Sequence, residues 1–326
     1  MKQWLEGVWY GQRRGGWVLI PLSWLFRIIT ALRRWVYRLG IAGVYRAEVP
    51  VMVIGNITVG GSGKTPMVGW LAVQARQQGF HPAIISRGYG GDQPNTPVLV
   101  TEESSAQQVG DEPLMLFRQT ALPIYVCRRR SEAAKAAIAA GATLIIADDG
   151  LQHYALHRDF EVVVVDANRE HGNGRCLPAG PLREPPSRLD TVDLVLYRNG
   201  ESPQIGYSLI AKTATNASSG ESRLLTSFGG QSVRAVAGIG YPEGFFRLLE
   251  RAGMTVERVA PGDHAKADDA VIYDPEIDVF MTEKDAVKYH ALGQQHWIVS
   301  AEVSLLPGTR DALLALLKRS SENSPS

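Results

Sequence analysis

The stretch that most constrains this chain is residues 51–66, VMVIGNITVGGSGKTP, where an apolar run breaks into glycines and then opens a segment of helical composition. It predicts strand, phosphate loop and helix in succession. Gly60, Gly61 and Gly63 remove the side chains that would block a polyphosphate, so backbone N–H groups converge on it at the positive end of the following helix. Thr58, Val59 and Ser62 complete the loop. Lys64 is then placed for the β- and γ-phosphates of ATP, and Thr65 for Mg²⁺. The usual spacing asks for glycine where Thr58 stands, but the three glycines nearest Lys64 keep the physics of the loop. A phosphate loop alone names no reaction.

Downstream, strands and helices alternate. Pro82 to Ser86 reads as a buried strand leading into SRGYGG, a glycine-rich turn at a strand's carboxyl end, where open parallel sheets bind ligands. Residues 109–113, VGDEP, introduce a helix whose adjacent carboxylates Asp111 and Glu112 suit its positive end. Residues 143–150, TLIIADDG, form an apolar strand ending in two acids. Paired with the loop, this arrangement brings Asp148 or Asp149 to the metal and its water. Gln152 and His153 follow, and then residues 171–186, a Gly/Pro-rich loop too long for a simple connection and therefore expected to be functional. Arg183 within it reads as a solvated loop arginine or a phosphate contact.

The alternation predicts an α/β fold, a P-loop NTPase-type doubly wound sheet over residues 47–200. Polar, glycine-containing segments after residue 200 predict a second, smaller α/β domain over 201–326. Residues 1–46 form a third region, holding five of the seven tryptophans and eight Lys/Arg against Glu6 alone. A helix from Pro21 to about Leu39 would place Ser23, Arg27, Thr30, Arg34 and Arg38 on one face and Leu22, Leu25, Ile29, Leu32 and Val36 on another. That composition suits a helix lying at an anionic membrane surface, with packing on the protein's own core as the alternative. Arg27 interrupts the apolar run too early for a spanning segment to be expected.

Two cysteines, Cys127 and Cys176, have no zinc-type spacing and fit reduced thiols in a cytosolic compartment. The net charge of +1 gives no reason to expect a nucleic-acid partner.

In their order along the chain, GGSGKTP, SRGYGG, VGDEP, DDGLQH, GNGRCLPAGPLREP, GIGYPEGFF, GDH and TEKDAVK resemble the tetraacyldisaccharide 4'-kinases of lipid A biosynthesis, over about Val51 to Lys288. The resemblance implies transfer of the ATP γ-phosphoryl group to the 4'-hydroxyl of a tetraacyldisaccharide 1-phosphate, giving lipid IVA at the cytoplasmic face of an inner membrane. It implies a small domain closing over the nucleotide, ATP and Mg²⁺ as cofactors, and a lipid substrate; no protein partner is implied. Carried over by motif, Lys64 and Thr65 serve ATP and Mg²⁺, Asp148 and Asp149 stand near the metal, and Asp111 is the catalytic base with His264 as its partner.

Two non-kinase readings lack their diagnostic residue. A partition-type ATPase would carry lysine at Val59, and a GTPase would carry Asn or Thr followed by Lys-x-Asp, which TEKD reverses. The remaining alternative is another P-loop phosphotransferase or ligase acting on a carboxylate or amine.

Overall fold

The structure is a computed structural model; it describes residues 2–11, 15–61, 63–201, 204–263, 265, 267–273 and 276–322. Ser62 and His264 lie outside the described residues. The chain opens with helices α1 (Lys2–Trp9) and α2 (Ile20–Arg38), then enters the alternation through β1 (Val51–Gly55) and α3 (Lys64–Gln77). There follow β2 (Pro82–Ser86), β3 (Val98–Leu99), α4 (Ala106–Val109), α5 (Asp111–Thr120), β4 (Ile124–Val126), α6 (Arg130–Ala139), β5 (Leu144–Asp148) and β6 (Phe160–Asp166). Beyond the long loop come β7 (Leu194–Arg198) and β8 (Gly206–Ile210). The smaller layer holds β9 (Thr213–Asn216), β10 (Ser222–Leu224), β11 (Ser232–Val236), α7 (Pro242–Arg251), β12 (Thr255–Val259), α8 (Asp269–Ile272), β13 (Val279–Thr282), α9 (Glu283–Ala286) and β14 (His296–Val299). The chain closes with β15 (Glu302–Leu305) and α10 (Thr309–Glu322).

Among the described residues the strands form two sheets, ordered β15-β8-β7-β6-β1-β5-β2-β4-β3 and β10-β9-β14-β13-β11-β12. Strands β8 through β4 of the large sheet are parallel, with antiparallel β15 and β3 at its edges. Continuous apolar burial along β1, β2 and β5 follows from helices covering both faces. One face packs α3, α5 and α10 through Leu71, Leu116 and Leu313; the other packs α6 through Ala133 and Ala137.

The sheets divide differently from the expected break at residue 200. Strands β8 and β15 pair in the large sheet, and α10 buries Leu313, Leu316 and Leu317 in the large core. The polar stretch after residue 200 marks the loop before β8. The smaller sheet is therefore an insertion spanning roughly β9 to β14, entered from β8 and left into its neighbour β15 at the sheet edge.

Helix α2 lies with its polar stripe toward the protein. Ser23 is buried and donates to the Cys176 carbonyl at 2.7 Å, Phe26 packs against the core, Arg34 approaches Glu184 at 4.0 Å, and Tyr37 meets the Tyr154 ring. Its apolar face points outward: Trp24, Leu25, Ile28, Ile29, Leu32 and Trp35 are each more than half exposed. The alternative of an apolar face packed on the protein's own core is therefore not the arrangement found. Residues Gly16–Arg38 are long and apolar enough to cross a membrane by length and composition, with mean hydropathy 1.3.

Candidate active site

The carboxyl ends of β1 and β5 lie side by side, because the two strands are parallel neighbours with Ile54 opposite Asp148. This adjacency delivers Lys64 and Thr65, at the start of α3, to Asp148 and Asp149. Gly63 caps α3 at φ 74°, the left-handed region that favours glycine, and a Cβ there would also strike Arg198 Cδ at 2.5 Å. Tyr207 of β8 donates its hydroxyl to the Gly63 carbonyl at 2.7 Å. The long loop props the other side of the phosphate loop: Val59 N donates to Pro181 O at 2.8 Å, and Arg183 N to Ile57 O at 2.6 Å. Its length is thus structural support for the glycine-rich loop before α3.

Thr65 Oγ1 stands 3.4 Å from Asp148 Oδ2, while Lys64 Nζ stands 3.6 Å from Asp149 Oδ1. Arg183 Nη1 donates to both carboxylate oxygens of Asp149, at 3.0 and 3.1 Å. Arg130 is buried beneath the pair and donates to the Asp148 and Asp149 carbonyls at 3.2 and 2.9 Å. Burial pushes the Asp148 carboxyl up to about 7, with the Lys64 charge opposing it. Burial acts in the same sense on Asp149, but the charges of Lys64, Arg183 and Arg130 outweigh it and hold that carboxyl well below its ordinary range. Two adjacent acids thus differ in readiness to ionise. Asp148 Oδ1 is buried and makes no hydrogen bond, so an unmatched carboxylate oxygen sits beside a threonine hydroxyl. An oxygen-seeking cation fits that donor pair.

Asp111 is the first residue of α5, buried, with Oδ1 accepting from Glu112 N at 3.0 Å. Two glycine turns seat it. A Cβ on Gly91 would lie 2.6 Å from Gly110 N, and one on Gly110 would lie 2.9 Å from the Tyr89 carbonyl. The SRGYGG turn therefore packs directly under VGDEP, a contact that explains both glycine runs. Across from Asp111 come Lys284 and Lys288 of the TEKDAVK segment, with Nζ atoms at 3.8 and 3.9 Å from Asp111 Oδ2.

Between the sheets lies a cavity of about 1300 Å³, lined by Gly61, Lys64 and Thr65 on one side and Gly240, Asp263 and Lys284 on the other. At its mouth the Arg169 guanidinium sits over the rings of both Tyr10 and Tyr241, at 5.1 and 5.2 Å, joining the N-terminal segment to the smaller sheet. Near the foot of α2, burial pushes His153 down to about 4, reinforced by the charges of Arg130, Arg158, Arg33 and Arg87. These cations come from four separate segments, and the sequence singled out none of them. The run CRRRSE offers three arginines with nothing to say that Arg130 is the buried one. Of the residues expected at the site, the structure brings together Thr58, Val59, Gly60, Gly61, Gly63, Lys64, Thr65, Asp148 and Asp149, and sets Asp111 behind the cavity wall at Glu112 and Lys284.

Comparison with known proteins bears on the chain as a whole. The family model described as tetraacyldisaccharide-1-P 4'-kinase matches residues 16–320. A tetraacyldisaccharide 4'-kinase of Methylobacillus flagellatus is 48% identical over 312 residues, covering 92% of each chain. One of Pasteurella multocida is 44% identical over 296 residues, covering 89% of this chain and 90% of that protein. The crystal structure of "apo" form LpxK from Aquifex aeolicus in complex with ATP superposes with a TM-score of 0.76 at 25% identity, covering 93% of this chain and 99% of that one.

Proposed function

This chain belongs to the tetraacyldisaccharide 4'-kinase family, and from that premise we propose how its residues carry an ATP-dependent transfer to the 4'-hydroxyl of a tetraacyldisaccharide 1-phosphate. The observation that carries the reading is the cavity between the sheets, where Lys64 and Thr65 face Asp263 and Lys284 with Asp111 directly behind. A carboxylate acceptor is disfavoured there, because Glu112 and Asp263 already line the cavity with Asp111 behind them. A neutral hydroxyl pays no such repulsion.

The loop from Thr58 through Thr65, Ser62 included, binds the ATP phosphates. Lys64 follows the γ-phosphoryl group and meets the negative charge that spreads over it in the transition state. Arg183 and Lys64 hold Asp149 ionised between them. Thr65 and Asp148, with Asp149 alongside, would hold Mg²⁺, which would supply positive charge against the negative charge of the phosphates. Asp111 orients the sugar hydroxyl and receives its proton as the O–P bond forms and ADP leaves. His264, outside the described residues, is proposed as its partner on the GDH motif. The cationic group around His153 supports an anionic substrate entering near α2.

The outward apolar face of α2, with exposed Arg27 and Arg38, supports seating on an anionic bilayer at the cytoplasmic face of the inner membrane. Contacts to the protein at Ser23 and Arg34 favour a helix lying in the surface plane. The test is transfer of radiolabelled γ-phosphate from ATP to a tetraacyldisaccharide 1-phosphate in vesicles. Label must enter the lipid, and Asp111→Ala and His264→Ala must each abolish most of it, the double variant falling no further than Asp111→Ala. Release of the label as inorganic phosphate alone would sink the assignment.

A further inference from the structure

The two lysines of the TEKDAVK segment reach from the smaller sheet to Asp111 on the large one. Lys284 Nζ is mostly buried and lies 2.9 Å from Asp263 Oδ1, 3.1 Å from Glu112 Oε1 and 3.8 Å from Asp111 Oδ2. Lys288 Nζ lies 3.9 Å from Asp111 Oδ2 and 2.9 Å from Asp285 Oδ1. The lysines are themselves held firmly. Asp285, almost wholly buried, accepts from Gly238 N at 2.9 Å and from the Thr282 hydroxyl at 2.7 Å, and Thr282 caps the α9 turn. A Cβ on Gly238 would lie 2.6 Å from Asp285 Oδ1, so the GIGYP turn is shaped to admit this carboxylate.

Among the described residues the charges facing Asp111 are Glu112 on its own helix, Asp263 on the loop after β12, and Lys284, Asp285 and Lys288 on the α9 segment. Four acids thus surround two ammonium groups. Without the lysines a buried carboxylate among acids takes up a proton and ceases to be a base. Burial works against the Lys284 charge, but Glu112, Asp111 and Asp263 outweigh it and hold the ammonium firmly on.

We propose that Lys284 and Lys288 are the positioning residues of the Asp111 base, keeping its carboxylate ionised and in one orientation, so that the base is assembled only where the two sheets meet. This rests on the reading of Asp111 as the group that takes the hydroxyl proton. In that step the sugar O–H breaks as the O–P bond forms, the proton goes to the Asp111 carboxylate, ADP leaves, and both lysines stay ammonium throughout.

The experiment is a double-mutant cycle on the full chain with vesicle-borne lipid. Single-turnover rate and ATP Kd are measured for Lys284→Met, Lys284→Arg and Lys288→Met, each with and without Asp111→Ala. Lys284→Met should lower the rate by about 10²-fold, within the span general-base contacts command, with ATP Kd changed less than twofold. Lys284→Arg should recover most of the loss. On Asp111→Ala, neither Met variant should slow the residual rate further, because residues acting as one unit are non-additive. Losses that multiply with that of Asp111→Ala, or a Met variant of unchanged rate, would overturn the proposal. Should Lys284→Met fail to fold by circular dichroism, the Lys288→Met arm decides alone. A wild-type rate for Asp111→Ala would instead remove the base reading beneath it.

Discussion

Gly61 of the phosphate loop and Gly240 of the smaller sheet meet backbone to backbone: a Cβ on Gly240 would lie 3.1 Å from Gly61 N and 3.4 Å from Gly61 Cα. The two sheets thus touch at the glycine-rich loop before α3, and glycine on both sides sets the closeness. Gly240→Val, with two more carbons than Ala, must push the loop or open the cavity. Its expected effect is a rise of about tenfold in KM for ATP with thermal stability little changed, since the contact lies at a cavity wall. Steady-state kinetics and a melting curve check both; an unchanged KM would mean the sheets part freely at this point.

Lys64 is held 3.6 Å from Asp149, which Arg183 also binds. Because Arg183 remains to neutralise Asp149, Lys64→Ala should keep the fold while lowering kcat by roughly 10³-fold, the scale of a lost transition-state donor. Turnover within tenfold of the parent in a folded variant would count against the phosphate-loop role.

His153 carries a signed pH dependence. Its folded pKa of about 4 lies below the ordinary 6.5, from burial and then the surrounding arginines. Between those values the unfolded chain binds the proton and the folded one does not. The contribution is therefore complete above pH 6.5 and is lost as pH falls toward 4. His153→Gln should flatten this part of the stability curve, read by urea unfolding at pH 7 and pH 4.5. An unaltered slope would show that His153 charges freely in the fold.

The outward face of α2 predicts a separable membrane function. Replacing Trp24, Ile28 and Trp35 with serine removes large exposed side chains, each contributing up to ~1.5–3 kcal/mol where it is buried in lipid. Co-sedimentation with anionic vesicles should weaken by well over tenfold, while turnover of detergent-dispersed substrate stays near the parent. Equal losses in both assays would mean the helix supports the active site rather than the membrane.

Much of this site is local in sequence. Residues 51–66 encode strand, glycines, lysine and helix within one continuous stretch, and the apolar run ending in Asp148 and Asp149 is equally local, because hydrophobic period and backbone freedom are properties of neighbours along the chain. The alternation that follows was enough for a doubly wound sheet. The resemblance across eight motifs pointed to the kinase family that the comparisons show.

What the tertiary structure decided are the long-range pairings, which no local pattern specifies. A polar stretch after residue 200 looked like a domain break, but β8 and β15 pair across nearly a hundred residues and return the chain to the large sheet. Helix α2 was readable as amphipathic, yet only packing shows that its polar stripe, through Ser23 and Arg34, faces inward. Lys284 and Lys288 reach Asp111 over more than 170 positions. Their worth lies in burial and in the charges around them, and both are set when two sheets close on each other.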